Sequence, residues 1–264
     1  MGCLKLHILD EQYKRTELKV SYGNKKLTSD FAFENVRRIT LYAYCLNNPI
    51  IFIDPDGREV RLSNLTDKQH QKAVQNMLET KNGRAFIGRY MSEGQTIKLG
   101  EKTYSFNSTG DRAKDVLFIQ SADAKAMGNR NGCAYTYTKQ NKEISEITDP
   151  LNVNLREGVF SRIFLKVGLD EKQATGTLGH EAFVHTDRKA DLLNEMDAKI
   201  NNGNYSRREY VEDFYLLPRG DIDHKALGKG TIFKYENYLN QLSNNKKDNF
   251  YLNYYKKEVE RYGK

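Results

Sequence analysis

Thr177-Leu178-Gly179-His180-Glu181-Ala182-Phe183-Val184-His185-Thr186-Asp187 places two of the chain's five histidines around a carboxylate, in the pattern HExxxH. In the shorter HExxH spacing, two histidines four residues apart lie about 40° apart on a helix and can share one metal ion. Five residues separate His180 and His185, which is about 140° on an ideal helix. A one-residue π-bulge removes that divergence and brings both rings to one face, and such bulges recur at functional sites. The bland alternative is that Glu181 and His185, four residues apart, form an ordinary pair on a helix surface. Ala182, Phe183 and Val184 are apolar, which buries this helix and leaves the polar trio in need of partners.

Working outward, Asp170 to Ile200 reads as helix, interrupted or bent around Gly176 and Gly179, with Asn201-Asn202-Gly203-Asn204 as its stop. Strands are expected at Thr103–Phe106, Val116–Ile119, Ala134–Tyr137 and Arg162–Val167. One or two helices fall between Asp67 and Tyr90, broken near Lys81-Asn82-Gly83. A helix is expected near Arg207–Leu216, and a final helix or pair over Ile232–Glu260. The Lys- and Tyr-rich end after Asn244 reads as a solvated amphipathic helix. The predicted fold class is α+β: a small antiparallel sheet with packed helices and the HExxxH helix central.

The HExxxH pattern is similar to that of the dipeptidyl peptidase III type of metallopeptidase. That resemblance implies His180 and His185 as zinc ligands and Glu181 as the general base. The family has Gly before the second histidine where this chain has Val184, and its second motif with a glutamate ligand has no match here. The Arg162–Val167 strand ahead of the helix resembles the edge strand of zincins. A catalytic zinc needs a third protein ligand and an open position. His224, in Asp221-Ile222-Asp223-His224-Lys225, is the first candidate, with Asp223, Asp191 and Glu195 as rivals; a capping role is the plain alternative for His224. Asp187 is a candidate for orienting an imidazole. Tyr215 and Arg219 are available for oxyanion stabilisation. Cys133 offers Cys–His catalysis or, more plainly, a buried thiol.

The first residues carry a different signal. Leu41-Tyr42-Ala43-Tyr44-Cys45-Leu46-Asn47-Asn48-Pro49-Ile50-Ile51-Phe52-Ile53-Asp54-Pro55-Asp56-Gly57-Arg58 reads as an aromatic-rich strand, a turn, the short strand Ile50–Ile53, and a second turn. This stretch resembles the closing motif of the RHS-repeat-associated core, and Met1-Gly2-Cys3-Leu4-Lys5-Leu6 resembles the start of RHS fragments of the Bacteroidetes type. The resemblance covers about residues 1–60, without the many repeats that usually precede the motif. It implies that residues 1–60 are a core remnant. It also implies that residues 61–264 occupy the slot of a variable C-terminal effector, often a polymorphic toxin, with a cognate immunity protein as partner.

Composition narrows the classes. The 264 residues carry 42 Lys and Arg against 35 Asp and Glu, a net charge of +7. The mean hydropathy is −0.75. No stretch approaches the roughly 20 apolar residues of a membrane span. Three cysteines without a CxxC pair exclude a disulfide scaffold and a cysteine zinc cluster. No signal peptide is expected, so delivery to a target cell would use a non-classical export route. The leading expectation is a zinc-dependent metallopeptidase-like effector acting on a protein or peptide substrate, without a membrane partner. One alternative is an RHS-associated nuclease toxin, in which the basic surface meets nucleic acid and His224 works with Asp221 and Asp223. Another is a catalytically inactive binding module.

Overall fold

The computed structural model describes residues 4–9, 15–20, 60–138, 158–204 and 232–262, together with Ser206, Glu209, His224, Leu227 and Lys229. The expected strands at Leu41–Tyr44 and Ile50–Ile53, the helix near Arg207–Leu216, and Tyr215, Arg219, Asp221 and Asp223 lie outside the described residues. The chain divides into two compact units, Met1–Asn48 and Pro49–Lys264. In the first, β1 (Leu4–Leu9) pairs antiparallel with β2 (Arg15–Val20), Leu6 opposite Leu18.

The second unit is α+β. Its main sheet has the order β3-β6-β8-β7, from Val60–Arg61, Val116–Ala122, Val159–Lys166 and Gly132–Thr138. β3 and β8 both run parallel to β6, while β7 runs antiparallel to β8. The sheet is therefore mixed, and the small antiparallel sheet of the sequence reading is present as the hairpin of β4 (Thr96–Leu99) and β5 (Lys102–Ser105). β6 opens with the apolar run Val116–Ile119, covered on both faces, and β8 is likewise buried from Val159 to Ile163 although Ser161 and Arg162 are polar. Leu117 and Ile119 of β6 join Ile163 and Leu165 of β8 in the main core. Val116 and Phe118 point the other way, to Phe160 and Tyr137. β8 is thus an interior strand. Among the described residues the edge beside it is β7, which corrects the expectation that the strand preceding the HExxxH helix is the edge.

The helices start where side chains satisfy their free N–H groups. Asp67 caps α1 (Lys68–Leu78) by accepting from Gln69, and Thr80 caps α2 (Lys81–Gly88) by accepting from Gly83. A four-residue helix, α3 (Ala124–Met127), precedes β7. Asp170 and Gln173 form a reciprocal capping box at the start of α4 (Glu171–His180). The helix does not break at Gly176 or Gly179, as the sequence suggested. It passes instead into a π-helical turn, Glu181–Thr186, and resumes as α5 (Asp187–Asn201). The glycines serve packing: a Cβ on Gly179 would overlap the Tyr238 ring, and one on Gly176 would meet Tyr254 at 3.2 Å.

The C-terminal segment forms two helices, α6 (Phe233–Lys246) and α7 (Phe250–Tyr262). Tyr235, Tyr238, Leu239, Leu242 and Tyr251 are buried in the main core with Leu178 and Phe183. Of these, Tyr251 lies in the Lys- and Tyr-rich end expected to form a solvated amphipathic helix; it is a core residue, because its ring buries a large apolar area. No helix among the described residues is long and apolar enough to cross a membrane.

Candidate metal centre

His180 is the last residue of α4, and His185 lies one π-helical turn later. The wider turn is visible in the backbone: the Asp187 N–H donates to the carbonyl of Ala182, five residues back, and the Thr186 hydroxyl donates to Glu181 O at 2.8 Å. The extra residue in this turn offsets the roughly 140° divergence of positions five apart on an α-helix. His180 Nε2 and His185 Nε2 are 3.1 Å apart. His224, from the segment between α5 and α6, places its Nε2 3.0 Å from that of His180 and 3.1 Å from that of His185. His180, His185 and His224 therefore lie close enough to bind one metal ion.

The donor set fits a transition metal. Nitrogens on a tetrahedral zinc at about 2.0–2.1 Å would sit roughly 3.3–3.4 Å from one another, slightly wider than the spacing here. Imidazole is also the donor class that suits zinc, copper, iron or nickel rather than magnesium or calcium. On its far side His180 meets a carboxylate: its Nδ1 lies 2.9 Å from Glu258 Oε1. A carboxylate facing Nδ1 favours the tautomer with the proton there, which leaves the Nε2 lone pair for the point where the other two rings converge.

Glu181 is buried beside this cluster. Burial pushes its carboxyl above the ordinary range; the imidazoles of His180 and His185 pull it down, and neighbouring Glu258 pushes it up. β7 closes over it. A Cβ on Gly132 would lie 2.5 Å from Thr177 Cγ2 and 2.9 Å from Glu181 Oε1, so only glycine lets the strand approach so closely.

The other candidates lie elsewhere. Asp187 does not orient an imidazole: it pairs with Arg89 at 2.7 Å, Arg112 at 3.3 Å and Lys234 at 2.8 Å. Asp191 joins the same network through Arg89 and Arg112, at 2.7 and 2.6 Å. Its carboxylate is committed to two guanidiniums and is not in the histidine cluster. Glu195 is exposed on α5. Cys133 is half-buried in β7; burial and the nearby Glu181 both raise its thiol pKa, which disfavours the thiolate a nucleophile needs. Two residues were missed by the sequence reading. Glu258 reaches His180, and Tyr262 stacks on His224 with centroids 4.2 Å apart and planes 20° apart. Their only signal was a spacing of four on the C-terminal helix, which the Lys-rich composition masked.

No protein-family model, no curated protein and no solved structure matches the chain.

Proposed function

We propose that the second unit is a zinc-dependent, metallopeptidase-like hydrolase. The convergence of three imidazole Nε2 atoms within 3.1 Å, produced by the π-helical turn and placed next to a buried glutamate, carries this reading. His180, His185 and His224 would hold the metal, leaving a fourth position open. Zinc there would supply an acidified water and a polarised carbonyl. Glu181 takes a proton from the attacking water and returns it to the leaving amine, and its raised pKa suits both transfers.

The resemblance of residues 41–58 to the RHS closing motif supports a role for this unit as the variable effector of a polymorphic toxin, with an immunity protein as its specific partner. A nuclease built on hard oxygen ligands and magnesium is disfavoured by the all-histidine donor set.

The test is hydrolysis of a labelled unfolded casein, and of a mixed peptide library, by the zinc-loaded full chain. Glu181→Gln is expected to retain the metal and lose about 10²–10⁴-fold in rate. A variant as fast as wild type contradicts the base assignment. No zinc-dependent cleavage of either substrate contradicts the peptidase reading.

A further inference from the structure

The metal ligands come from two distant segments: His180 and His185 from the α4–π–α5 helix, and His224 from the segment before α6. A preformed three-histidine site needs something to fix both at once. Glu258 and Tyr262 lie four residues apart on α7 and so share one face, about 40° apart. Glu258 Oε1 lies 2.9 Å from His180 Nδ1. Tyr262 holds His224 by stacking.

The Glu258 carboxylate is itself fixed. Its second oxygen accepts from the Tyr235 hydroxyl at 2.6 Å. The Tyr235 ring also meets His180 edge-on, with centroids 5.9 Å apart. The position of the His180 imidazole is therefore set by a carboxylate from α7 and a ring from α6. α7 is anchored independently by the buried Tyr251.

We infer that Glu258 and Tyr262 are positioning residues for the metal: docking of α7 aligns His180 and His224, and this alignment sets metal affinity. The inference rests on the reading of the histidine cluster as a metal site. A carboxylate on the far nitrogen of a ligand histidine fixes its tautomer and raises its basicity, and losing such a partner costs about 10–100-fold in metal affinity.

The test uses the full chain, purified without a histidine tag and stripped of metal. Zn²⁺ affinity is measured by competition with a chromogenic chelator, and Co²⁺ absorption reports the coordination geometry. Glu258→Gln keeps an acceptor but removes the charge, and is expected to bind Zn²⁺ about 10–100-fold more weakly. Tyr262→Leu is expected to weaken binding in the same direction and alter the Co²⁺ spectrum, whereas Tyr262→Phe keeps the stack and binds like wild type. Tyr238→Phe removes a core hydroxyl that donates to the Thr175 carbonyl, outside the Glu258 and Tyr262 contacts. It is expected to lower the melting temperature of the metal-free protein while leaving Zn²⁺ affinity within threefold of wild type. Wild-type affinity in both Glu258→Gln and Tyr262→Leu overturns the inference alone. So does a loss in Tyr238→Phe equal to that in Glu258→Gln, because a general structural effect would then explain both. Failure of the wild-type chain to bind Zn²⁺ overturns the metal reading, and this inference with it.

Discussion

Asp187→Asn separates the residues that hold the fold from the histidines proposed as metal ligands. Asp187 sits where the π-helical turn ends and has an exposure of only 6%. Its carboxylate meets Arg89 and Lys234 at 2.7 and 2.8 Å and Arg112 at 3.3 Å, joining α2, the loop before β6, and α6. Arg112 is itself buried, at 2% exposure. Removing one partner of a buried ion pair costs about 3–5 kcal/mol, because the remaining charge stays out of water. Arg112 would keep Asp191, the Tyr90 hydroxyl and the Asp187 main-chain carbonyl. Arg89 would keep Asp111 and Asp191. The retained partners reduce the expected loss to about 2–4 kcal/mol. The Asp187 carboxylate is committed to these cations, so Zn²⁺ affinity of the folded variant should stay near wild type. Urea unfolding of the metal-free protein and chelator competition read the two quantities separately. A variant of wild-type stability with greatly weakened zinc binding would refute the placement of Asp187 in the ion-pair network and restore it as a residue that orients an imidazole.

Two further outcomes test the helix that carries the site. Deleting Ala182 converts the pattern to HExxH, in which an ordinary α-helix places the histidines about 40° apart; zinc binding should survive, and complete loss of binding in a folded deletion variant would show that the π-turn does more than restore the phase. Gly179→Ala drives a methyl into the Tyr238 ring, an overpacking cost of about 1–3 kcal/mol that exceeds the roughly 1 kcal/mol gained in helix propensity. Gly176→Ala meets Tyr254 less closely, at 3.2 Å, so thermal melts should show Gly179→Ala as the more destabilised of the two.

The strongly patterned parts of the fold were legible in the sequence. Asp170 with Gln173 announces a helix start, and Val116 to Ile119 announces a buried strand. The π-bulge was legible too, since His180 and His185 can share a ligand only if one residue is taken out of phase. The parallel pairing of β6 with β8 was not, because a short apolar run reads the same in either direction and pairing depends on contacts distant in sequence. The hairpin strand Thr96–Leu99 was missed because its inward residues are only Ile97 and Leu99, too few to show a period. Asp187 misled by proximity: it follows His185 by two residues, yet its carboxylate turns toward Arg89 and Arg112. Glu258 and Tyr262 were hidden because their partners lie 78 and 38 positions away, and because the lysines around them suggested solvent. Burial of Tyr235, Tyr238 and Tyr251 pulls that segment onto the core and carries the two residues to the histidines.

The most direct test is the metal content of the purified, tag-free full chain after incubation with zinc and dialysis, measured by elemental analysis beside His180→Ala. The geometry predicts about one zinc per chain, as for a site with three histidine ligands, and loss of that metal in His180→Ala with the fold retained by circular dichroism. Absence of stoichiometric zinc from the wild type, or its full retention in His180→Ala, would contradict a metal centre built on His180, His185 and His224.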